Sequence, residues 1–132
     1  MRALLVALTT ALTLTFAGAP GASAAVAPSA TAPRSVAAPS FNIWFNHHGN
    51  SPKADLAAGA HRIILDANCD GDFVGAQLYH VTWGRDRKVG NVVRVPCHGR
   101  ALPQYQLSGG EYYFYFLSGV DNTNITGDWR QD

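Results

Sequence analysis

The feature that most limits what this chain can become is a period of two in its large apolar residues, running from Phe41 onward. In Phe41-Asn-Ile43-Trp-Phe45 three of them share one face and Trp44 takes the other. The same beat places His61, Ile63, Leu65, Ala67 and Cys69 together, then Val93, Val95 and Cys97. Over 111–118 it sets Tyr112, Phe114 and Phe116 against Tyr113 and Tyr115. A helix does not keep such residues on one side, because its own faces repeat every three to four positions. A less regular alternation over 73–83 and a short stretch from Ile125 to Trp129 bring the strand candidates to six. Between them lie turn formers: His48-Gly49-Asn50-Ser51-Pro52, Asp70-Gly71-Asp72, Gly84-Arg85-Asp86-Arg87, Ser108-Gly109-Gly110 and Asp121-Asn122-Thr123-Asn124. The expectation is an all-β chain, a small antiparallel β-sandwich of about six to eight strands. Ser51-Pro52 has the chemistry to cap a single helical turn through Ala57, which Gly59 would end.

The alternation does not begin at the first residue. Met1-Arg2 starts positive, residues 3–16 carry no charge, Gly18, Pro20 and Gly21 break a helix, and Ala22-Ser23-Ala24 offers small residues for cleavage. This is the layout of a secretory signal over 1–24, and its apolar run of about 14 residues falls short of the roughly 20 needed to span a bilayer. Residues 25–40 are rich in Ala, Pro and Ser and read as an extended linker. That leaves 41–132 as one domain with one core. Without Arg2 and Arg34, eight of the ten basic residues face nine acidic ones there, a net charge of −1. Such a balance speaks against nucleic acid as a partner. The expected location is secreted and extracellular, and the Ala-rich leader points to a bacterial source.

Two stretches echo each other. Leu56-Ala-Ala-Gly59-Ala-His61-Arg-Ile63-Ile-Leu65 and Leu107-Ser-Gly-Gly110-Glu-Tyr112-Tyr-Phe114-Tyr-Phe116 both read Leu-x-x-Gly-x followed by alternation. The physical logic is a Leu at the core edge, a Gly in a positive-φ turn, and then a strand with a fixed inward face. Chance likeness of two turn-plus-strand units and reuse of one strand-starting device both account for it. The stretch from Leu107 to Phe116, and more loosely Gln77-Leu-Tyr, resembles strands of small secreted bacterial β-sandwich modules of the prepeptidase C-terminal domain type. That resemblance implies an accessory domain without chemistry of its own.

Cys69 and Cys97 are the only cysteines, and in an exported chain they are expected to form one disulfide. Asp66-Ala-Asn68-Cys-Asp70-Gly71-Asp72 offers oxygen ligands at the first, third, fifth and seventh places with Gly at the sixth, the start of a calcium loop. Position twelve is Gln77, which lacks the bidentate carboxylate such loops use, and an Asp-Gly hairpin turn accounts for the same residues. No other cofactor is indicated. The five histidines match no zinc spacing. No Gly-x-Ser-x-Gly is present, and Glu111 is the only glutamate, so a glycosidase pair would need an arbitrary aspartate.

Aromatic side chains are the remaining resource. If Tyr112, Phe114 and Phe116 face in, Tyr113 and Tyr115 face out, as does Trp44, while Trp83 sits beside a turn. Outward Tyr and Trp make flat amphipathic platforms. The reading is a secreted non-catalytic binding module whose ligand is a polysaccharide or an extracellular protein, met by Trp44, Trp83, Tyr113 and Tyr115 or by loops. The alternatives are a small secreted hydrolase and a calcium-stabilised surface protein.

Overall fold

A computed structural model describes residues 39–132; the leader and nearly all of the linker expected from the sequence lie outside the described residues. Eight strands are present: β1 (Ser40–Phe45), β2 (His48–Asn50), β3 (Ala54–Asn68), β4 (Phe73–His80), β5 (Arg87–Pro96), β6 (Gly99–Ala101), β7 (Gln104–Ser118) and β8 (Thr123–Gln131). They form one sheet in the order β1-β8-β3-β7-β4-β5, with β2 added beside β7 and β6 beside β3, and every strand pairing is antiparallel.

The sheet folds over itself because its two longest strands change partners halfway. The first half of β3 pairs with the first half of β7, Leu56 opposite Gly110 and Gly59 opposite Leu107. Beyond those glycines β3 continues beside β8 (Ile63 opposite Trp129), and β7 continues beside β4 (Leu78 opposite Phe114). Gly59 and Gly110 have φ of 132° and 121°, values that side chains with a Cβ rarely adopt. The two layers that result are β1-β8-β3-β6 and β2-β7-β4-β5. Tyr112, Phe114 and Phe116 fill the space between them with Ile63, Leu65, Val74, Leu78, Ile125 and Trp129, all buried. Phe114 meets Trp129 across the core at 5.6 Å between ring centroids, and Phe116 meets Phe41 and Phe45 of β1 at 6.0 Å each.

The sequence echo reaches further than its ten residues. The shift that carries Leu56 to Leu107 and Gly59 to Gly110 also carries β2 onto β6, β3 onto β7 and β4 onto β8. The strand order reads the same from either end when each strand is exchanged for its counterpart. The molecule is thus built on a quasi-two-fold axis through the β3–β7 ribbon, and each half lends its last strand to the other half.

Three sequence expectations give way here. Residues 54–57 are strand, not a helical turn, because Ala54, Asp55 and Leu56 pair with Tyr112, Glu111 and Gly110. His48–Asn50 forms a strand beside β7 and not only a turn. The 69–72 segment is not a hairpin: β3 and β4 are not neighbours, so it crosses from one layer to the other. Cys69, buried in that crossing, is bonded to Cys97 just past β5, with Cα atoms 5.1 Å apart. The bridge spans 28 residues, which is worth about 3–4 kcal/mol by chain entropy.

Candidate functional site

The outer face of the β2-β7-β4-β5 layer carries a row of outward aromatic and polar groups. Since β7 alternates, Tyr113, Tyr115 and Leu117 point away from the core that Tyr112, Phe114 and Phe116 fill. Register then fixes their neighbours. Tyr113 lies beside Tyr79, Tyr115 lies between Gln77 and Asn50, and Leu117 lies between Gly75 and His48.

At one end, the Tyr79 and Tyr113 rings stack with centroids 5.5 Å apart and planes 11° from parallel. The Tyr113 hydroxyl donates to Asp86 Oδ2 at 3.0 Å, while Oδ1 of the same carboxylate accepts the Thr82 backbone N–H at 3.3 Å. The Thr82 hydroxyl donates to the Arg85 carbonyl at 2.7 Å. Asp86 therefore ties the β4–β5 loop to the tyrosine pair, and that loop displays Trp83 with its ring fully in solvent. Burial, then the Asp86 hydrogen bond and charge, then Tyr79, raise the Tyr113 pKa, so the phenol stays neutral and donating. Tyr113, Asp86, Asn50, Ser51 and Lys53 line a hollow of about 230 Å³. Lys53 also reaches Glu111, at 3.3 Å.

In the middle of the face, the Tyr115 ring lies 6.4 Å from that of His48. Gln77 is buried, its amide nitrogen 3.0–3.3 Å from the carbonyl oxygens of Leu78, Val89 and Gly90. It fills the irregularity where β5 slips its register against β4. At the far end Phe73, Val92 and Leu117 are exposed around Gly75, on an open groove of about 650 Å³, and the Arg94 guanidinium sits 3.7 Å above the Phe73 ring.

The structure thus brings Tyr113 and Tyr115 onto one face, with the Trp83 loop anchored to it. Trp44 does not join them: it is exposed on β1, in the other layer, opposite Asn124. Tyr79, Asp86, Asn50 and Lys53 went unnoticed in the sequence. The 73–83 alternation is blurred, and Asp86 sits in a charged run that reads as a solvated tip.

The calcium pattern is not assembled. Asp66 lies on regular strand β3, where Arg100 of β6 holds both of its oxygens, at 2.7 and 3.1 Å. That hydrogen bond and the carboxylate charge raise the Arg100 pKa. Asn68 pairs with Asn124 in the β3–β8 register, and Asp70 and Asp72 lie in the crossing beyond. Among the described residues, no three His, Cys, Asp or Glu side chains gather as a metal-binding group.

The histidines also sit apart in role. His47 contacts Asp121 at 3.1 Å on the surface, His48 flanks Tyr115, His61 is buried against Trp129, His80 stacks on Tyr112, and His98 occupies a positive-φ position.

No protein-family model matches the chain, and no curated protein matches it. Among solved structures, TmCBM61, determined in complex with β-1,4-galactotriose, overlaps 70% of this chain and 70% of its own, at 14% identity and a TM-score of 0.38. A structure from the Gt strain of infectious bursal disease virus overlaps 70% of this chain at 9% identity and a TM-score of 0.39; the match spans 28% of the viral chain. Neither overlap carries a correspondence between residues.

Proposed function

We propose that the protein is an extracellular, non-catalytic binding module that takes up a carbohydrate chain on the outer face of its β2-β7-β4-β5 layer. The observation that carries the reading is the Tyr113 site. Its ring is stacked on Tyr79 and held by the Asp86 bond, and Asn50, Lys53 and Asp86 place polar groups beside it. A sugar ring has an apolar face that stacks on such an aromatic and hydroxyls that need rim partners. A ring already fixed loses little freedom on binding. Tyr115 and the exposed Trp83 offer further stacking surfaces. The resemblance of Leu107–Phe116 to accessory sandwich modules fits this role, and the buried disulfide fits an oxidising location.

The groove bounded by Phe73, Val92 and Leu117 favours a second reading, an extracellular protein partner, because contiguous exposed apolar surface rimmed by polar groups marks such contacts. Pull-down of the purified protein on insoluble polysaccharides, with calorimetry on soluble ones, separates the two. Carbohydrate binding is expected, and Tyr113→Ala is expected to weaken it by about 1–3 kcal/mol, the usual worth of one aromatic anchor. Polysaccharide retention that survives Tyr113→Ala and Trp83→Ala but is lost in Leu117→Asp would move the carbohydrate from the Tyr113 face to the groove. No binding to any polysaccharide would end the carbohydrate reading.

A further inference from the structure

Trp44 is the aromatic residue that the Tyr113 face leaves out, and the outer face of the β1-β8-β3-β6 layer gathers polar groups of its own around it. The side chain is 68% exposed. Residues directly opposite one another in a strand pair share a face, so register names its neighbours. Asn124 stands between Trp44 and Asn68, and Thr126 stands between Asn42 and Asp66. Asn42 is two positions from Trp44, on the same side of β1. Just past β1, Asn46 and Asn122 line a hollow of about 250 Å³ with Trp44 and Phe45, and Asn46 Oδ1 accepts the Asn122 backbone N–H at 2.9 Å. Five of the chain's seven asparagines thus lie in this one neighbourhood, which makes amide the chemistry that surrounds the ring.

The amides nearest the ring are held in place. Asn124 Nδ2 donates to Asn42 Oδ1 at 2.6 Å and to the Ile43 carbonyl at 3.0 Å, so both of its hydrogens are spent. Among the described residues Asn124 Oδ1 and Asn42 Nδ2 take no partner. An acceptor and a donor therefore stand side by side in fixed orientation. Direct opposition puts the Cβ atoms of Trp44 and Asn124 about 4.5–5.5 Å apart, so the amide pair adjoins the ring. Two neighbouring hydroxyls of a sugar, each able to give and to accept, match that pair.

The charges on this face close on one another. Arg100 meets Asp66, Arg130 meets Asp128 and Arg62 meets Asp132. An ionic ligand finds no free counter-charge here among the described residues. In the register no second exposed apolar side chain adjoins Trp44, so the cluster of anchors that a protein partner uses is missing. We infer that Trp44 is the stacking platform of a second carbohydrate site, one for an uncharged chain, with Asn42 and Asn124 holding a pair of its hydroxyls. This site stands on its own face and does not need the Tyr113 site. The two sites lie on the outer faces of opposite layers with the core between them. One molecule then reaches two chains and bridges them, a consequence that rests on the Tyr113 reading as well.

The test uses three soluble uncharged polysaccharides (xyloglucan, galactomannan and dextran) and polygalacturonate as the charged control. NMR follows the Trp44 indole N–H and the Asn42 and Asn124 side-chain amides, and light scattering follows bridging. At least one uncharged chain is expected to shift all three signals saturably, in Tyr113→Ala as in the unsubstituted protein. Trp44→Ala removes a largely exposed side chain and is expected to keep its melting temperature. It should weaken the binding read from the Asn124 amide by about tenfold, the worth of one aromatic anchor. Scattering should rise with added protein and fall again once each chain is saturated, and Trp44→Ala should abolish it. Saturable Trp44 shifts without scattering would support this site and count against the Tyr113 one. No saturable shift with any of the three uncharged chains, tighter binding of polygalacturonate at these signals, or an unchanged Asn124 titration in folded Trp44→Ala would each overturn the proposal. Scattering undiminished in Trp44→Ala would overturn the bridging role.

Discussion

Replacing Gly110 and Gly59 by alanine, one at a time, measures separately two costs that the fold places on one residue. Both have positive φ, 121° and 132°, where a Cβ is strained at a cost of about 1–3 kcal/mol. At Gly59 strain is the whole penalty, because the nearest atom to the new Cβ would be 3.8 Å away. At Gly110 the Cβ would meet His80 Nε2 at 2.7 Å, so the imidazole must leave the Tyr112 ring. Losing that stack adds about 0.5–1.5 kcal/mol. Gly110→Ala is therefore expected to exceed Gly59→Ala by about 1 kcal/mol, and the two should become equal in a His80→Ala background. Urea unfolding followed by near-ultraviolet circular dichroism reads this from midpoints at unchanged m. In melting temperature the gap corresponds to roughly 4–8 °C for a domain of this size. Equal costs in the unsubstituted background, or a gap that persists without His80, would show that the stacked ring is not what distinguishes the two glycines.

Reduction of the Cys69–Cys97 bond is expected to lower stability by about 3–4 kcal/mol, checked by unfolding with and without reductant. Among the described residues the buried Tyr105 hydroxyl has no hydrogen-bond partner, so Tyr105→Phe is expected to be neutral or to stabilise by about 1 kcal/mol, measured by the same unfolding. Burial pushes the Tyr105 pKa up to about 12 from its ordinary 10.0. The folded state then holds that proton more tightly than the unfolded one. The associated stability is intact below pH 10 and lost as pH rises toward 12, a decline that Tyr105→Phe should lessen in an alkaline titration. Millimolar calcium is expected to leave the melting temperature unchanged, since Arg100 holds both oxygens of Asp66 and, among the described residues, no three His, Cys, Asp or Glu side chains gather.

Strand character and inward faces were legible because a buried β layer must alternate: Ile63, Leu65, Phe114 and Phe116 are all inaccessible to solvent, as their spacing indicates. The disulfide was legible because both cysteines continue inward faces. Partner choice was not. Nothing local in Ala54–Asn68 says that its halves pair with different strands, since that depends on how Gly59 and Gly110 turn against each other across the ribbon. The candidate site was half visible. Tyr113 and Tyr115 follow from alternation, but Tyr79 joins them only through the β4–β7 register, and Asp86 only through the loop it closes.

Because β8 completes the layer begun by β3, and β4 completes the one begun by β7, neither half of the chain can close its hydrophobic interior alone. A nascent chain that has emerged as far as Ala101 holds β3 without β8 and β4 without β7, leaving Ile63, Leu65, Val74 and Leu78 unsheltered. Such interleaving makes folding wait on long loop closures, which is intrinsically slow. It also exposes apolar intermediates to mutual strand exchange, so intertwined dimers are the misassembly expected when this domain is refolded at high concentration.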